Sequence, residues 1–197
     1  MASPVVIASG GANLASLCFA LERLGYDAPV TEDAETIRGA SHVILPGVGA
    51  ARDAMMRLNR ADLTDVVRSL RQPVLGICLG MQLLFTGSDE DAAECLGMIP
   101  GTARRFRDGP DTPVPHMGWN QLQIASESPL LAGIEDGGWA YFVHSYALPV
   151  GSYTCAATTY EHTFSSAVQH ENFYGTQFHP ERSASIGRRI LANFLRL

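Results

Sequence analysis

The run Pro73-Val74-Leu75-Gly76-Ile77-Cys78-Leu79-Gly80-Met81-Gln82-Leu83-Leu84-Phe85 changes character at its centre. Pro73 to Ile77 is a short apolar stretch of the kind that forms a buried strand. From Leu79 onward the residues suit a helix, expected over 79–86. Cys78 stands at the junction, in a Gly-x-Cys-x-Gly frame. A nucleophile on a tight strand-to-helix turn needs small neighbours, because the turn strains its backbone and brings other chain close. The helix start beside it offers free N–H groups, which favour a thiolate and a developing oxyanion. A buried structural thiol is the competing reading, since free cysteine is among the most buried residue types.

Outward from this junction the first half alternates strand and helix signals. Val5-Val6-Ile7-Ala8 is a short apolar run closed by Ser9-Gly10-Gly11. Leu14, Leu17, Cys18, Leu21 and Leu24 follow at helical spacing, with Gly25 as a stop. Ala28–Thr31 suits an edge strand. Ser41–Leu45 is a further apolar run, broken by Pro46-Gly47-Val48-Gly49. Met55 to Leu70 then reads as helical. Short apolar strands separated by helices predict a parallel sheet covered on both faces. Both Gly-rich breaks, 46–49 and 76–80, fall at strand C-terminal ends, where open α/β sheets bind their ligands.

The second half differs. Segments 101–107, 113–124, 139–148, 154–160, 166–170 and 173–178 are short and carry strand-forming residues, with turns such as Asp108-Gly109-Pro110 and Asp136-Gly137-Gly138 between them. Antiparallel or mixed strands are expected there, and a helix over Ser185–Leu197. There is no repeat, low-complexity tract or linker, so one α/β domain over residues 1–197 is the expectation.

Composition limits the function. The 197 residues are 46% hydrophobic and 17% charged, with a formal net charge of −6. That is ample for a core and a poor electrostatic match for nucleic acid. No uninterrupted apolar run is long enough to span a membrane. The four cysteines, Cys18, Cys78, Cys95 and Cys155, include no CxxC pair. They read as free thiols in a reducing, cytoplasmic compartment, with no metal site and no cofactor expected.

A nucleophilic cysteine needs a base and a group to orient that base. Of the six histidines, His42 lies in an apolar strand, and His162 and His170 occupy ordinary strand or loop positions. His116 and His144 are less easily set aside. His179 is the best base candidate, in Gln177-Phe178-His179-Pro180-Glu181. In an extended segment His179 and Glu181 would point to the same face, letting the carboxylate fix the imidazole tautomer.

The motifs PGVG (46–49), GICLGMQLLF (76–85) and GTQFHPERS (175–183) occur in an order, and over a span, that resemble the class I, triad-type glutamine amidotransferases. The resemblance implies their flavodoxin-like fold: a central, mostly parallel sheet flanked by helices, with added antiparallel strands in the second half. It implies that Cys78 attacks the side-chain amide of L-glutamine, that His179 shuttles protons and that Glu181 orients His179. Gly47, Val48 and Gly49 match the oxyanion loop, and Leu79 supplies a second N–H. Gln82, Ser145 and Tyr146 match the glutamine pocket.

Within the family, PHMGWN (115–120), YFVHSY (141–146), GGANLASL (10–17) and LGMIPG (96–101) resemble the glutaminase subunits that pair with a cyclase to make imidazole glycerol phosphate. That implies a heterodimer with a (β/α)8-barrel cyclase, which would receive the ammonia. Asn13, Met117, Trp119, Asn120, Tyr141 and Arg182 match the subunit contact. Two positions depart from the family pattern. Ala8-Ser9-Gly10 stands where Asp-Tyr-Gly is common, and Arg182 where lysine is usual. Three alternatives stay open: the glutaminase of another amidotransferase, a free-standing cysteine hydrolase of the same fold, and a non-catalytic subunit that has kept the fold.

Overall fold

The apolar runs of the first half become strands that lie side by side. The computed structural model describes residues 3–8 and 14–197. In chain order it contains β1 (Pro4–Ile7), α1 (Leu14–Glu22), β2 (Val30–Thr31), α2 (Ala34–Gly39), β3 (His42–Gly47), α3 (Ala51–Arg60), α4 (Thr64–Ser69), β4 (Val74–Cys78) and α5 (Leu79–Leu83). There follow β5 (Phe85–Ser88), β6 (Ala93–Glu94), β7 (Ile99–Arg105), β8 (His116–Gln121), β9 (Gln123–Ile124), β10 (Trp139–His144) and β11 (Tyr146–Ala147). The chain ends with β12 (Thr154–Thr159), β13 (Thr163–His170), β14 (Phe173–Thr176) and α6 (Ala184–Phe194).

Among the described residues, an eight-stranded sheet runs in the order β2-β1-β3-β4-β14-β13-β12-β9. The pairings from β2 to β14 are parallel, and those from β14 to β9 are antiparallel. The central strands β1, β3, β4 and β14 are buried at every position, as strands covered on both faces must be. Their side chains alternate between two apolar layers. Val5, Ile7, Val43, Leu45 and Val74 pack with Ile37, Ala54, Leu58, Val66 and Leu83 of α2 to α5. Val6, Ile44, Leu75 and Ile77 pack with Leu17 and Leu21 of α1 and with Ile190, Leu191 and Phe194 of α6. Phe194 is fully buried, and its truncation to Ala would cost about 3–5 kcal/mol.

Among the described residues two smaller sheets accompany the eight-stranded one: the antiparallel ribbon β10-β8, and β11-β7-β5-β6. The second was not expected. The helix expected over 79–86 ends at Leu83, and Phe85–Ser88 is a strand paired with β6 and β7. Leu83-Leu84-Phe85 is a short apolar run compatible with either period. The helical stretch from Met55 to Leu70 is also two helices, α3 and α4. They are broken around Asp62, whose φ of 55° no helix can hold. Segment 113–124 divides into β8 and β9, with Leu122 turned into the core between them.

Candidate active site

β4 enters α5 without a loop, and the turn is made at Cys78 itself, with φ 55° and ψ −112°. A non-glycine residue held there stores roughly 1–3 kcal/mol of strain, which the surrounding structure must over-determine. Here β4 is locked between β3 and β14, with Gly47 in register with Cys78 and Thr176 with Ile77. The glycine frame answers to backbone-on-backbone packing. A Cβ on Gly76 would stand 2.7 Å from the Gly80 carbonyl oxygen and from the Met81 Cα. A Cβ on Gly80 would stand 1.8 Å from the Leu45 carbonyl oxygen. The end of β3 therefore presses against the turn, and Pro46–Gly49 is carried up beside Cys78.

β14 is the other neighbour of β4, so the chain beyond Thr176 reaches the same sheet edge. His179 is pinned from both sides: its N–H donates to the Tyr141 carbonyl at 3.0 Å, and its own carbonyl accepts from Ser183 Oγ at 2.7 Å. Ser183 Oγ in turn accepts from the Tyr141 N–H at 2.9 Å. His179 Nδ1 bonds Glu181 Oε1 at 2.8 Å. The local geometry differs from the extended one expected. Pro180–Arg182 is a 3₁₀ turn, so it is the turn, not strand alternation, that brings Glu181 to Nδ1. Pro180 lacks an N–H and cannot continue the sheet, and the turn begins there.

His179 and the Glu181 side chain are both buried. His179 Nε2 is buried without a hydrogen bond that closes at normal geometry. Burial alone would push the His179 imidazole down. Hydrogen bonding and charge from Cys78 and Glu181 more than reverse this and hold it at about 10. An imidazolium is thus favoured beside a sulfur able to carry negative charge. The Cys78 Sγ lies 3.7 Å from the Val143 carbonyl oxygen and 3.8 Å from Gln177 Nε2.

A cavity of about 420 Å³ opens at this edge. It brings together Cys78, His179 and Glu181 with the loop Gly47, Val48 and Gly49, with Leu79 at the start of α5, and with Gln82, Ser145 and Tyr146. Gln82 is buried, and its Nε2 donates to the Tyr146 carbonyl and to Gln177 Oε1, each at 2.9 Å. Glu90 also lines the wall and caps α3 by accepting from the Ala51 N–H at 2.8 Å. Such a set can attack an acyl carbon, hold an oxyanion and move a proton. Among the described residues no cluster of His, Cys, Asp and Glu is disposed to hold a metal ion.

The ribbon β8-β10 forms one side of the cavity mouth. Its pairs Val143/Met117, Tyr141/Trp119 and Trp139/Gln121 lie on one face. Met117, Trp119 and Trp139 are exposed there, at 63%, 49% and 53%, an apolar strip that solvent does not favour. Arg182 sits 4.8 Å over the Tyr141 ring, a stacking that the planar guanidinium suits better than lysine would. Asn120, expected at the same contact, faces the other way. Its Nδ2 reaches His116 Nε2 at 3.2 Å and the Thr159 carbonyl at 3.0 Å. Asn13 lies outside the described residues.

His116 and His144 form a buried pair behind the ribbon, with His116 Nδ1 3.0 Å from His144 Nε2. His42 is buried in β3 and packs edge-on against Phe194. Sequence reasoning assigned no role to Gln177, Glu90, Ser183 or Trp139. Gln177 carried a usable signal, standing two residues before His179 in an extended segment. Glu90 carried none, because it arrives from a turn well beyond the helix.

Residues 6–197 match the family model described as glutamine amidotransferase class-I, and the chain belongs to that family. Its relatives narrow the resemblance. It is 52% identical over 197 residues to the imidazole glycerol phosphate synthase subunit HisH of Xanthomonas euvesicatoria pv. vesicatoria (strain 85-10), covering 100% of this chain and 98% of that one. It is 47% identical over 199 residues to HisH 1 of Vibrio vulnificus (strain YJ016), covering 98% and 97%. Among solved structures, one titled glutamine amidotransferase superposes with a TM-score of 0.74 at 20% identity, over 98% of this chain and 97% of the other. The PurLQS structure from Thermotoga maritima gives 0.73 at 16% identity, over 100% and 99%. At these identities the two structures speak to the fold.

Proposed function

We propose that this chain is the glutaminase subunit of an imidazole glycerol phosphate synthase, working as one glutaminase domain with a cyclase subunit in histidine biosynthesis. The observation that carries the chemistry is the His179 ring. Glu181 holds Nδ1 at 2.8 Å, while Nε2 is buried and unpaired in the cavity that also holds Cys78. The relatives of about 50% identity over the whole chain support the choice of synthase.

Glutamine enters with its amide toward Cys78. The Glu90 carboxylate and the Gln82 side chain both line the cavity, and they suit its α-ammonium group on charge and hydrogen-bonding grounds. The Cys78 thiolate attacks the amide carbon, and the carbonyl oxygen becomes an oxyanion. Backbone N–H groups of the Gly47-Val48-Gly49 loop and of Leu79 receive it, each donor worth about 3–4 kcal/mol in such sites. The His179 imidazolium gives its Nε2 proton to the departing nitrogen. The C–N bond breaks, ammonia leaves and a thioester remains. Neutral His179 then takes a proton from water, whose oxygen attacks the thioester. With the imidazolium so restored, collapse expels the Cys78 thiolate and frees the new carboxylic acid, which loses its proton to solvent and leaves as glutamate. Glu181 keeps the ring in one tautomer throughout.

The ribbon face of Met117, Trp119, Trp139 and Tyr141 supports docking of the cyclase beside the cavity mouth, so that ammonia can pass before it is protonated. The four cysteines are free, which supports a reducing, cytoplasmic setting. Among the described residues no helix is long and apolar enough to cross a membrane.

The test is glutamate release by the chain alone, then with a cyclase subunit and its nucleotide-derived ligand. Low activity alone and a large rise with the liganded cyclase are expected. Cys78→Ala should abolish glutamine-driven turnover and leave ammonium-driven turnover intact. Strong activity indifferent to the cyclase would favour a free-standing hydrolase.

A further inference from the structure

Gln177 is wholly buried at the end of β14, yet ends in a polar amide. Methionine would fill the same space without an amide to satisfy. The amide has one arrangement open to it. The Tyr146 carbonyl can only accept, and it takes hydrogen bonds from His144 Nδ1 at 2.8 Å and Gln82 Nε2 at 2.9 Å. That fixes the Gln82 amide with its NH₂ inward. The same NH₂ donates to Gln177 Oε1 at 2.9 Å, so the Gln177 oxygen must face Gln82. Its NH₂ is then left facing Cys78 Sγ, at 3.8 Å. Flipping Gln177 would set NH₂ against NH₂.

Besides His179, the sulfur therefore has two polar neighbours of opposite kind. The Val143 carbonyl, at 3.7 Å, is an acceptor and suits only the protonated thiol. Gln177 is a donor and suits the thiolate. Gln177 does not line the cavity, so substrate cannot displace it. We propose that Gln177 is a positioning residue that holds the Cys78 sulfur and stabilises its thiolate from the protein side, through an N–H whose direction is set by Tyr146 and Gln82. This rests on the reading of Cys78 as the nucleophile.

Two variants test it in the full chain, Gln177→Met and Gln177→Glu. The first keeps the volume and removes the donor. The second keeps an oxygen and removes the NH₂ that faces the sulfur. Alkylation of Cys78 by iodoacetamide is followed across pH by mass spectrometry of the Cys78 peptide. The midpoint should rise by about one unit or more in Gln177→Met, the scale of a lost hydrogen bond to a charged group. It should rise further in Gln177→Glu. In the complex with the cyclase, kcat for glutamine should fall about tenfold or more, with KM within about twofold. The other titratable and charged groups lining the cavity, Glu90, His144, Tyr146, His179, Glu181 and Arg182, are unchanged in both variants.

An unshifted midpoint in folded Gln177→Met, with kcat unchanged, overturns the proposal. So does a lowered melting temperature with an unaltered alkylation profile. Should neither variant fold, the side-chain amide protons of Gln177 in the unsubstituted chain carry the test. They should titrate with Cys78 and stop doing so in Cys78→Ser, and a flat response overturns the idea. If Cys78→Ala kept glutamine-driven turnover, the parent reading would fail instead.

Discussion

Leu45 and Gly80 meet backbone to backbone: a Cβ on Gly80 would stand 1.8 Å from the Leu45 carbonyl oxygen. No side-chain rotation relieves such a clash, because both partners are main chain. Either β3 or the Cys78 turn must move. Gly80→Ala is therefore expected to destabilise the chain by about 3 kcal/mol or more, at or beyond the upper end for overpacking. It should also cost glutaminase activity out of proportion to unfolding, since the loop at 46–49 moves with Leu45. Denaturant melts and glutamate release on the same preparation check it. A variant of unchanged stability and rate would show that the contact can relax.

The His116–His144 pair sets an acid limit on stability. Burial pushes His116 down to about 4. Burial also pushes His144 down to about 3, with the Tyr146 carbonyl opposing this and the charges of His116 and His179 adding to it. The hydrogen bonds accept only neutral rings. His144 Nδ1 donates to Tyr146, so its Nε2 must accept from His116 Nδ1, and His116 Nε2 must accept from Asn120. Both folded values lie below the ordinary 6.5. The unfolded chain thus binds more protons as pH falls. Stability from this pair is full above about pH 6.5 and is lost progressively toward pH 4 and 3. His179, held up near 10, runs the opposite way: its contribution is full below about pH 6.5 and is lost progressively as pH rises toward 10. Thermal melts between pH 7 and 4 should show the decline, and His116→Asn should flatten it. An equal slope in the variant would place the acid sensitivity elsewhere.

The parallel half of the fold was legible because its strands are continuous apolar runs with glycine breaks at the ends that face the site. Cys78, His179 and the 46–49 loop were legible for the same reason, each standing where a strand stops. The rest depends on pairing between distant segments, which local pattern does not record. Phe85–Ser88 becomes a strand because Ala93–Glu94 and Ile99–Arg105 lie on either side of it. Gln177 has a role only because Gln82 and Tyr146 fix its amide. Asn120 and Trp119 are neighbours in one motif, yet the strand period sends them to opposite faces. The exposed Trp139 joins Trp119 only through the register of β8 with β10.

The ribbon face makes a separable prediction about assembly. Trp119 and Trp139 are exposed on the outer face of β8-β10 and contribute little to the described core. Trp119→Ala should leave the melting temperature of the chain nearly unchanged. It should weaken association with the cyclase subunit by about 2 kcal/mol, roughly thirtyfold in Kd, as loss of a buried interface aromatic does. Trp139→Ala should act in the same direction. Isothermal titration with the liganded cyclase reads both, and unchanged affinity in the two variants would move the docking face off this ribbon.

Glu181→Gln separates orientation from charge at the His179 ring. The substitution preserves shape, and an amide oxygen can still accept from Nδ1. It can equally present its NH₂, which would force the proton onto Nε2 in the wrong tautomer for accepting one. It also removes one of the two groups that hold the imidazole at about 10, leaving burial, which lowers it, opposed by Cys78 alone. The His179 value should therefore fall, and kcat for glutamine hydrolysis in the complex should drop about a hundredfold. KM should change little, because neither oxygen of Glu181 is needed to bind the amino-acid end in the proposed pose. NMR titration of His179 and steady-state kinetics check the two halves independently. A lowered His179 value with undiminished kcat would mean that the carboxylate tunes the ring without serving the proton transfer.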